Sequence, residues 1–189
     1  MEQKKLLAIL GSPRKDGLLA KMLRKVAEGA EQRGYQVEWI DLYTKNIAFC
    51  KGCFACEKTG NCIQQDDMTA ITSLIRESNI VVMASPTYWA NVSAPVKNLF
   101  DRLKGAAMEE TNTFPRPRLS GKKYILLTAC HTPAPFSWIC GQSKGTLKSM
   151  DEFFKTAGMK CIGRYVCTGT KDKKELPKSL VTKLSRCVR

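Results

Sequence analysis

The chain has 189 residues, a formal net charge of +14, 43% hydrophobic and 25% charged residues, and nine cysteines. That length suits one well-buried domain and is short for two, and the composition is that of a globular protein. No segment approaches the roughly 20 apolar residues of a membrane helix. The opening MEQKKLLAIL has too short an apolar run for a signal peptide, so a cytoplasmic location is expected.

Lys4 to Leu10 is a short apolar run stopped by Gly11, the pattern of a buried strand. Leu18 to Arg33 carries apolar residues at 18, 19, 22, 23, 26, 27 and 30, which is helical spacing, and Gly34 is its stop signal. Tyr35 to Leu42 forms strand two, and a long cysteine-rich loop, 50–62, follows. Asp66 or Asp67 caps a helix through Thr69, Ile71, Leu74 and Ile75. Asn79 to Ala84 is a buried strand, Ser85 to Ala94 a loop, and Pro95 stands at the first position of a further helix. Residues 106–120 are irregular. Lys123 to Ala129 is strand four, Gly141 to Ala157 a helix and Met159 to Thr168 strand five. A tail, 170–189, holds one amphipathic segment, Leu176 to Cys187. No repeat or composition break marks a second domain, so residues 1–189 are expected to form one.

Strands alternating with helices imply an α/β fold, a five-stranded parallel sheet covered on both faces. With strand order 2-1-3-4-5, the ligand crevice lies where the order reverses, between strands one and three. Two loops meet there. GSPRKDG, Gly11 to Gly17, joins a strand to a helix, where free amides and the helix dipole favour an anion. Ser12 adds a hydroxyl, and Arg14 and Lys15 add charge. The loop is neither a GxxxxGK[ST] nor a GxGxxG sequence. SPTYWANVSAP, Ser85 to Pro95, brings Tyr88, Trp89 and Asn91 beside it, suited to a flat heteroaromatic ring or to simple packing.

GSPRKDG after strand one and SPTYWANVSAPVKNLFDR after strand three resemble the NAD(P)H-dependent FMN reductase group of flavodoxin-like proteins. The cysteine stretch followed by Asp66-Asp67-Met68 resembles the iron–sulfur flavoprotein branch. The resemblance covers roughly residues 4–168 in element order. It implies a flavodoxin-like three-layer αβα sandwich with bound FMN. Ser12, Arg14, Gly17, Leu18 and Leu19 would hold the phosphate, and Pro86, Thr87, Tyr88, Trp89 and Asn91 would border the ring. Such loops often carry Asn and Thr or Ser where this chain has Leu18-Leu19, so backbone amides, Ser12 and Arg14 must suffice. A homodimer or homotetramer is implied as well.

The spacing Cys50-x2-Cys53-x2-Cys56-x5-Cys62 leaves three possibilities open: an iron–sulfur cluster, zinc, or no metal. Disulfides are disfavoured in a reducing compartment. The resemblance points to a [4Fe–4S] cluster on Cys50, Cys53, Cys56 and Cys62. Cys130, Cys140, Cys161, Cys167 and Cys187 have no ligand spacing and read mostly as small buried residues. His131, the single histidine, follows strand four at the same end of the sheet and is a candidate proton donor or substrate contact.

The expectation is an FMN-dependent oxidoreductase passing electrons from NAD(P)H to a small acceptor such as a quinone, a flavin or another electrophile. The alternatives are a cluster-free flavin reductase, and an electron carrier or redox sensor that pairs its basic surface with an acidic ferredoxin-like protein. Specific nucleic-acid binding has no supporting motif, since the basic residues are scattered apart from a modest excess in the tail from Lys171.

Overall fold

A computed structural model of the chain describes residues 3–188. Five parallel strands form one sheet: β1 (Lys5–Leu10), β2 (Gln36–Asp41), β3 (Ile80–Pro86), β6 (Lys123–Ala129) and β7 (Lys160–Cys167). Their order is β2-β1-β3-β6-β7, the order expected from the sequence. The numbering skips to β6 because β4 (Met108–Glu109) and β5 (Arg116–Pro117) pair as a small antiparallel ribbon within the stretch expected to be irregular. The central strands are apolar over most of their length because both faces are covered. Leu6, Leu7, Ala8 and Ile9 in β1 and Ile80 to Ala84 in β3 are all buried.

Alternate residues of each strand point to opposite faces. Leu7, Ile9, Val81, Met83, Tyr124 and Leu126 meet α3 (Met68–Glu77), α4 (Ala94–Arg102) and α7 (Gln142–Thr156) on one face. Leu6, Ala8, Val82, Ile125 and Leu127 meet α1 (Leu18–Glu31) and α8 (Lys178–Ser185) on the other. The apolar stripe of α1 buries Leu19, Met22, Leu23, Val26 and Ala30. Gly29 lets α8 approach, because a Cβ there would stand 2.4 Å from the Ser185 carbonyl oxygen. The amphipathic tail segment is therefore a packed element of this layer.

Three short helices lie outside the sequence expectation: α2 (Cys56–Thr59) inside the cysteine loop, α5 (Lys104–Ala107) and α6 (Phe136–Ile139). Each is a single turn, too short to leave a periodic signal. Both acidic residues expected at the start of α3 are found there. Asp67 holds the cap position without a side-chain bond to the helix, and Asp66 Oδ1 accepts the Met68 amide at 3.0 Å. No helix of the described residues is long and apolar enough to cross a membrane.

Candidate functional site

The strand order reverses between β1 and β3, and a cleft of about 420 Å³ opens there at the carboxyl ends of the strands. Its floor is the turn from β1 into α1. Gly11 is required in that turn, since a Cβ would lie 2.2 Å from Val96 Cγ2. Ser93 Oγ donates to the Gly11 carbonyl at 2.7 Å, and the Ser93 amide donates to Ser85 Oγ at 3.0 Å, so the loops after β1 and β3 are fastened to each other. α1 begins after Gly17 without a side-chain cap. Its first-turn amides have no partner within the helix, and Gly17, Leu18 and Leu19 line the cleft. Ser12, 5% exposed, and Arg14 stand beside them. The amides, the hydroxyl and the guanidinium form a donor set that fits a phosphate ester, with the helix dipole adding to it.

The wall is the loop after β3. Tyr88 and Asn91 exchange both backbone hydrogen bonds at 2.9 Å, closing a tight turn over Trp89 and Ala90. Both turn residues have positive φ, 51° and 58°, an uncommon conformation for residues with a Cβ. Surrounding contacts hold the turn in place. A Cβ on Gly145 of α7 would meet the Ala90 carbonyl oxygen at 2.1 Å, so only glycine lets the turn sit on that helix. The Thr146 hydroxyl lies 3.1 Å from the Asn91 carbonyl and 3.0 Å from Thr87 Oγ1, and Thr87 Oγ1 lies 3.0 Å from Thr128 Oγ1. Three hydroxyls thus fix the base of the turn. Backbone strain sustained by its surroundings is a feature that clusters at ligand sites.

Of the residues expected to hold a cofactor, Ser12, Arg14, Gly17, Leu18, Leu19, Pro86, Thr87 and Tyr88 line this cleft. Lys15 instead pairs with Asp41 at 3.3 Å. Trp89 lines a smaller adjoining pocket with Thr87, Tyr88 and His131, and its side chain is fully in solvent. Asn91 lines neither pocket and serves the turn, accepting from the Val92 amide through Oδ1 at 2.8 Å. His131 borders both openings. Sequence reasoning missed Thr170, Lys171, Lys173 and Lys174, which line the far rim. The basic excess of the tail was their signal, but nothing local placed it against α1. It also missed Thr128 and Thr146, which act only through the turn.

The cysteine loop stands on a fixed neck. The carboxylate of Asp66, 6% exposed, receives both terminal nitrogens of Arg102, whose side chain is 0% exposed, at 2.6 and 3.0 Å. It also accepts the Ala48 amide at 3.1 Å. Burial disfavours the charge on Asp66, but the guanidinium and the amides of Met68 and Ala48 outweigh it and hold the pKa below the ordinary carboxylate value. Asp67 accepts the Asn46 amide at 2.8 Å, and Asn98 Nδ2 donates to the Ile47 carbonyl at 3.0 Å. Above this neck, Gly52, Phe54 and Gly60 have positive φ. Cys50 and Cys53 are exposed, and Cys56 and Cys62 partly buried. Burial pushes the Cys62 thiol up, but the Gln64 amide and Arg102 outweigh it and leave the thiol below its ordinary pKa. Among the described residues no three His, Cys, Asp or Glu side chains converge on one metal position. The four thiols are suitable donors for a cluster, yet in this arrangement they do not fit one. The remaining cysteines divide: Cys130, Cys167 and Cys187 are buried, Cys161 is intermediate and Cys140 exposed.

A family model described as NADPH-dependent FMN reductase matches residues 4–151, and the chain belongs to that family. An iron–sulfur flavoprotein of Archaeoglobus fulgidus is 42% identical over 99 residues, 52% of this chain and 45% of that protein. The iron–sulfur flavoprotein of Methanosarcina thermophila is 35% identical over 98 residues, 52% and 51% of the two chains. The chain thus spans about half the length of the curated relatives it matches. The NAD(P)H:quinone oxidoreductase from Methanothermobacter marburgensis superposes with a TM-score of 0.76 at 16% identity, covering 98% of this chain and 97% of that one. An FMN-dependent NADH-azoreductase from Bacillus anthracis, solved with FMN, gives 0.72 at 15% identity over 96% and 94%. At such identities the likeness is one of fold, and that fold is flavodoxin-like.

Proposed function

We propose that this member of the NADPH-dependent FMN reductase family holds FMN in the cleft between β1 and β3 and passes reducing equivalents from NAD(P)H to a small electrophilic acceptor such as a quinone or a second flavin. One observation carries the reading. An uncapped helix start with Ser12 and Arg14 opens onto the same cleft as a strained, hydroxyl-braced turn bearing Pro86, Thr87 and Tyr88.

Bound FMN would supply the hydride and single-electron chemistry. The chain's own groups bind and orient. The α1 amides, Ser12 and Arg14 would hold the phosphate, and Pro86, Thr87 and Tyr88 would border the ring. Thr146 and Thr128 fix the Thr87 hydroxyl, so its orientation is set before any ligand arrives. Tyr88 is half-exposed and leaves one side open to a second flat reactant. His131, at the opening, offers an imidazole able to hold a proton beside the acceptor.

The ligand spacing of Cys50, Cys53, Cys56 and Cys62 and the printed names of the curated relatives favour a second element, a [4Fe–4S] cluster. The loop would have to draw its thiols together above the Asp66–Arg102 neck, and the positive-φ residues 52, 54 and 60 provide tight bends for that. The basic rim also suits an acidic electron-carrier protein as donor, and the fully exposed Trp89 with the half-exposed Phe136 and Trp138 suits a contact between copies of the chain. The test is anaerobic purification with flavin, iron, sulfide and zinc quantified on one sample, followed by NAD(P)H oxidation with a quinone. Stoichiometric flavin and turnover support the reductase. Absence of flavin after adding FMN refutes it. Four irons and four sulfides per chain support the cluster, and flavin without iron removes it.

A further inference from the structure

After β7 the chain leaves the sheet and runs along the rim of the cleft before α8 seats on α1. This strap is fastened at both ends. The Gly169 amide donates to the Thr132 carbonyl at 3.1 Å and the Thr170 amide to the Cys130 carbonyl at 3.2 Å. From α1, Lys21 Nζ donates to the Lys174 carbonyl at 2.9 Å and to Glu175 at 2.8 Å. Thr170, Lys171, Lys173 and Lys174 are thereby held against the cleft that begins at Ser12. The strap lies outside residues 4–151, the part of the chain that matches the family model.

The charge along this rim exceeds what a monophosphate needs. Four cations line the cleft, Arg14 and the three lysines, against one carboxylate, Asp16, which turns to Arg24 at 3.4 Å. Lys173 Nζ is engaged with the neutral Thr168 carbonyl at 2.6 Å. Among the described residues no ion pair or hydrogen bond engages the ammonium of Lys171 or Lys174. A flavin monophosphate carries at most two negative charges, and the α1 amides, Ser12 and Arg14 already supply donors for its oxygens. Free cations pinned at a cleft rim favour a further anion, and lysine serves phosphate as a point charge.

We propose that Lys171 and Lys174 form a second anion subsite, which takes a phosphoryl group beyond that of the flavin mononucleotide, as found in a dinucleotide. The inference rests on the flavin reading of the cleft. Two sources share this chemistry: the diphosphate bridge of a flavin dinucleotide in the cofactor's place, and the phosphates of the nicotinamide dinucleotide donor.

The experiment compares the full chain with Lys171→Ala/Lys174→Ala and with Lys171→Arg/Lys174→Arg. All four changes are at exposed positions, and an unchanged melting temperature confirms folding. Calorimetric titration with inorganic pyrophosphate and orthophosphate comes first. The wild type should prefer pyrophosphate at least tenfold, the alanine variant should lose that preference, and the arginine variant should keep it. Loss of affinity for flavin adenine dinucleotide by tenfold or more, with FMN changed less than threefold, assigns the subsite to the cofactor. A tenfold rise in KM for NADPH in the FMN-loaded alanine variant assigns it to the donor. Equal binding of the two inorganic anions by the wild type, or a preference the alanine variant retains, overturns the proposal. Failure of either flavin to bind would overturn the flavin reading instead, and the pyrophosphate titration would still decide the subsite.

Discussion

Replacing Asp66 by asparagine tests whether one buried ion pair secures the cysteine loop. Each carboxylate oxygen accepts one Arg102 nitrogen and one backbone amide: Oδ2 from Nη1 and Ala48, Oδ1 from Nη2 and Met68. However the new amide is set, its NH2 group faces two donors. Arg102 then keeps a buried charge without a counter-ion, and its Nε already has no partner. Breaking a buried pair by removing one member costs about 3–5 kcal/mol, a large part of the 5–15 kcal/mol that ordinarily holds a domain folded. With a urea m-value of about 2 kcal/mol/M, the midpoint should fall by about 2 M, read from tryptophan fluorescence. Asp66→Leu/Arg102→Met, which removes both charges, should recover most of the loss. The pH dependence has a definite sign. The folded pKa of Asp66 lies below its unfolded value near 3.9. Its contribution is therefore complete above that value and is lost as the pH falls through the folded pKa. The gap between wild type and Asp66→Asn should be constant from about pH 5 to 8 and should narrow below about pH 4. A loss under about 1 kcal/mol at neutral pH, or a gap unchanged in acid, would refute the reasoning.

Arg14→Ala removes a charge-assisted contact of about 1.5–3 kcal/mol, so FMN should bind about 10- to 100-fold more weakly by flavin fluorescence titration; a change under threefold would remove Arg14 from the phosphate site. Gly145→Ala forces a Cβ to within 2.1 Å of the Ala90 carbonyl oxygen. It should cost about 1–3 kcal/mol as an overpacked contact and weaken flavin binding in the same protein, and wild-type affinity would show that the turn does not shape the cleft. In metal-free native protein, iodoacetamide should modify Cys50, Cys53 and Cys140 first and spare Cys130, Cys167 and Cys187. Burial pushes the Cys187 thiol up to about 11, so it should react only on unfolding; uniform labelling by mass spectrometry would contradict the packing of α8.

What the sequence disclosed and what it withheld separate along one physical line. The strands and long helices carry their own periodicity, so Lys123–Ala129 is found to the residue and α1 to within two. The phosphate loop was legible because a strand, a glycine turn and a helix start follow one another in the chain. The rest depends on residues far apart in sequence. Thr87, Thr128 and Thr146 become one hydroxyl network only after β3, β6 and α7 assemble. In sequence Asp66 looks like a helix cap, whereas its strongest partner, Arg102, lies 36 positions away. The tail lysines read as a basic surface in sequence because contacts with distant residues, among them the Gly29–Ser185 approach, the Lys21 clasp and the Gly169 and Thr170 amide bonds, turn the tail back along the cleft. The two ends of the cysteine stretch behave differently for the same reason. Its neck is fixed by buried, satisfied polar contacts, and the thiols above it have none of comparable strength except Cys62 against Arg102. Cys56 begins a turn clasped by Lys104 on Glu57 and by Arg76 on the Gly60 carbonyl, both at 2.8 Å, whereas Cys50 and Cys53 are exposed, and an exposed stretch anchored only at its base takes its shape from whatever binds it. The thiol positions of the free chain and those of a metal-loaded one should therefore differ, while Asp66, Asp67 and Asn98 stay in place.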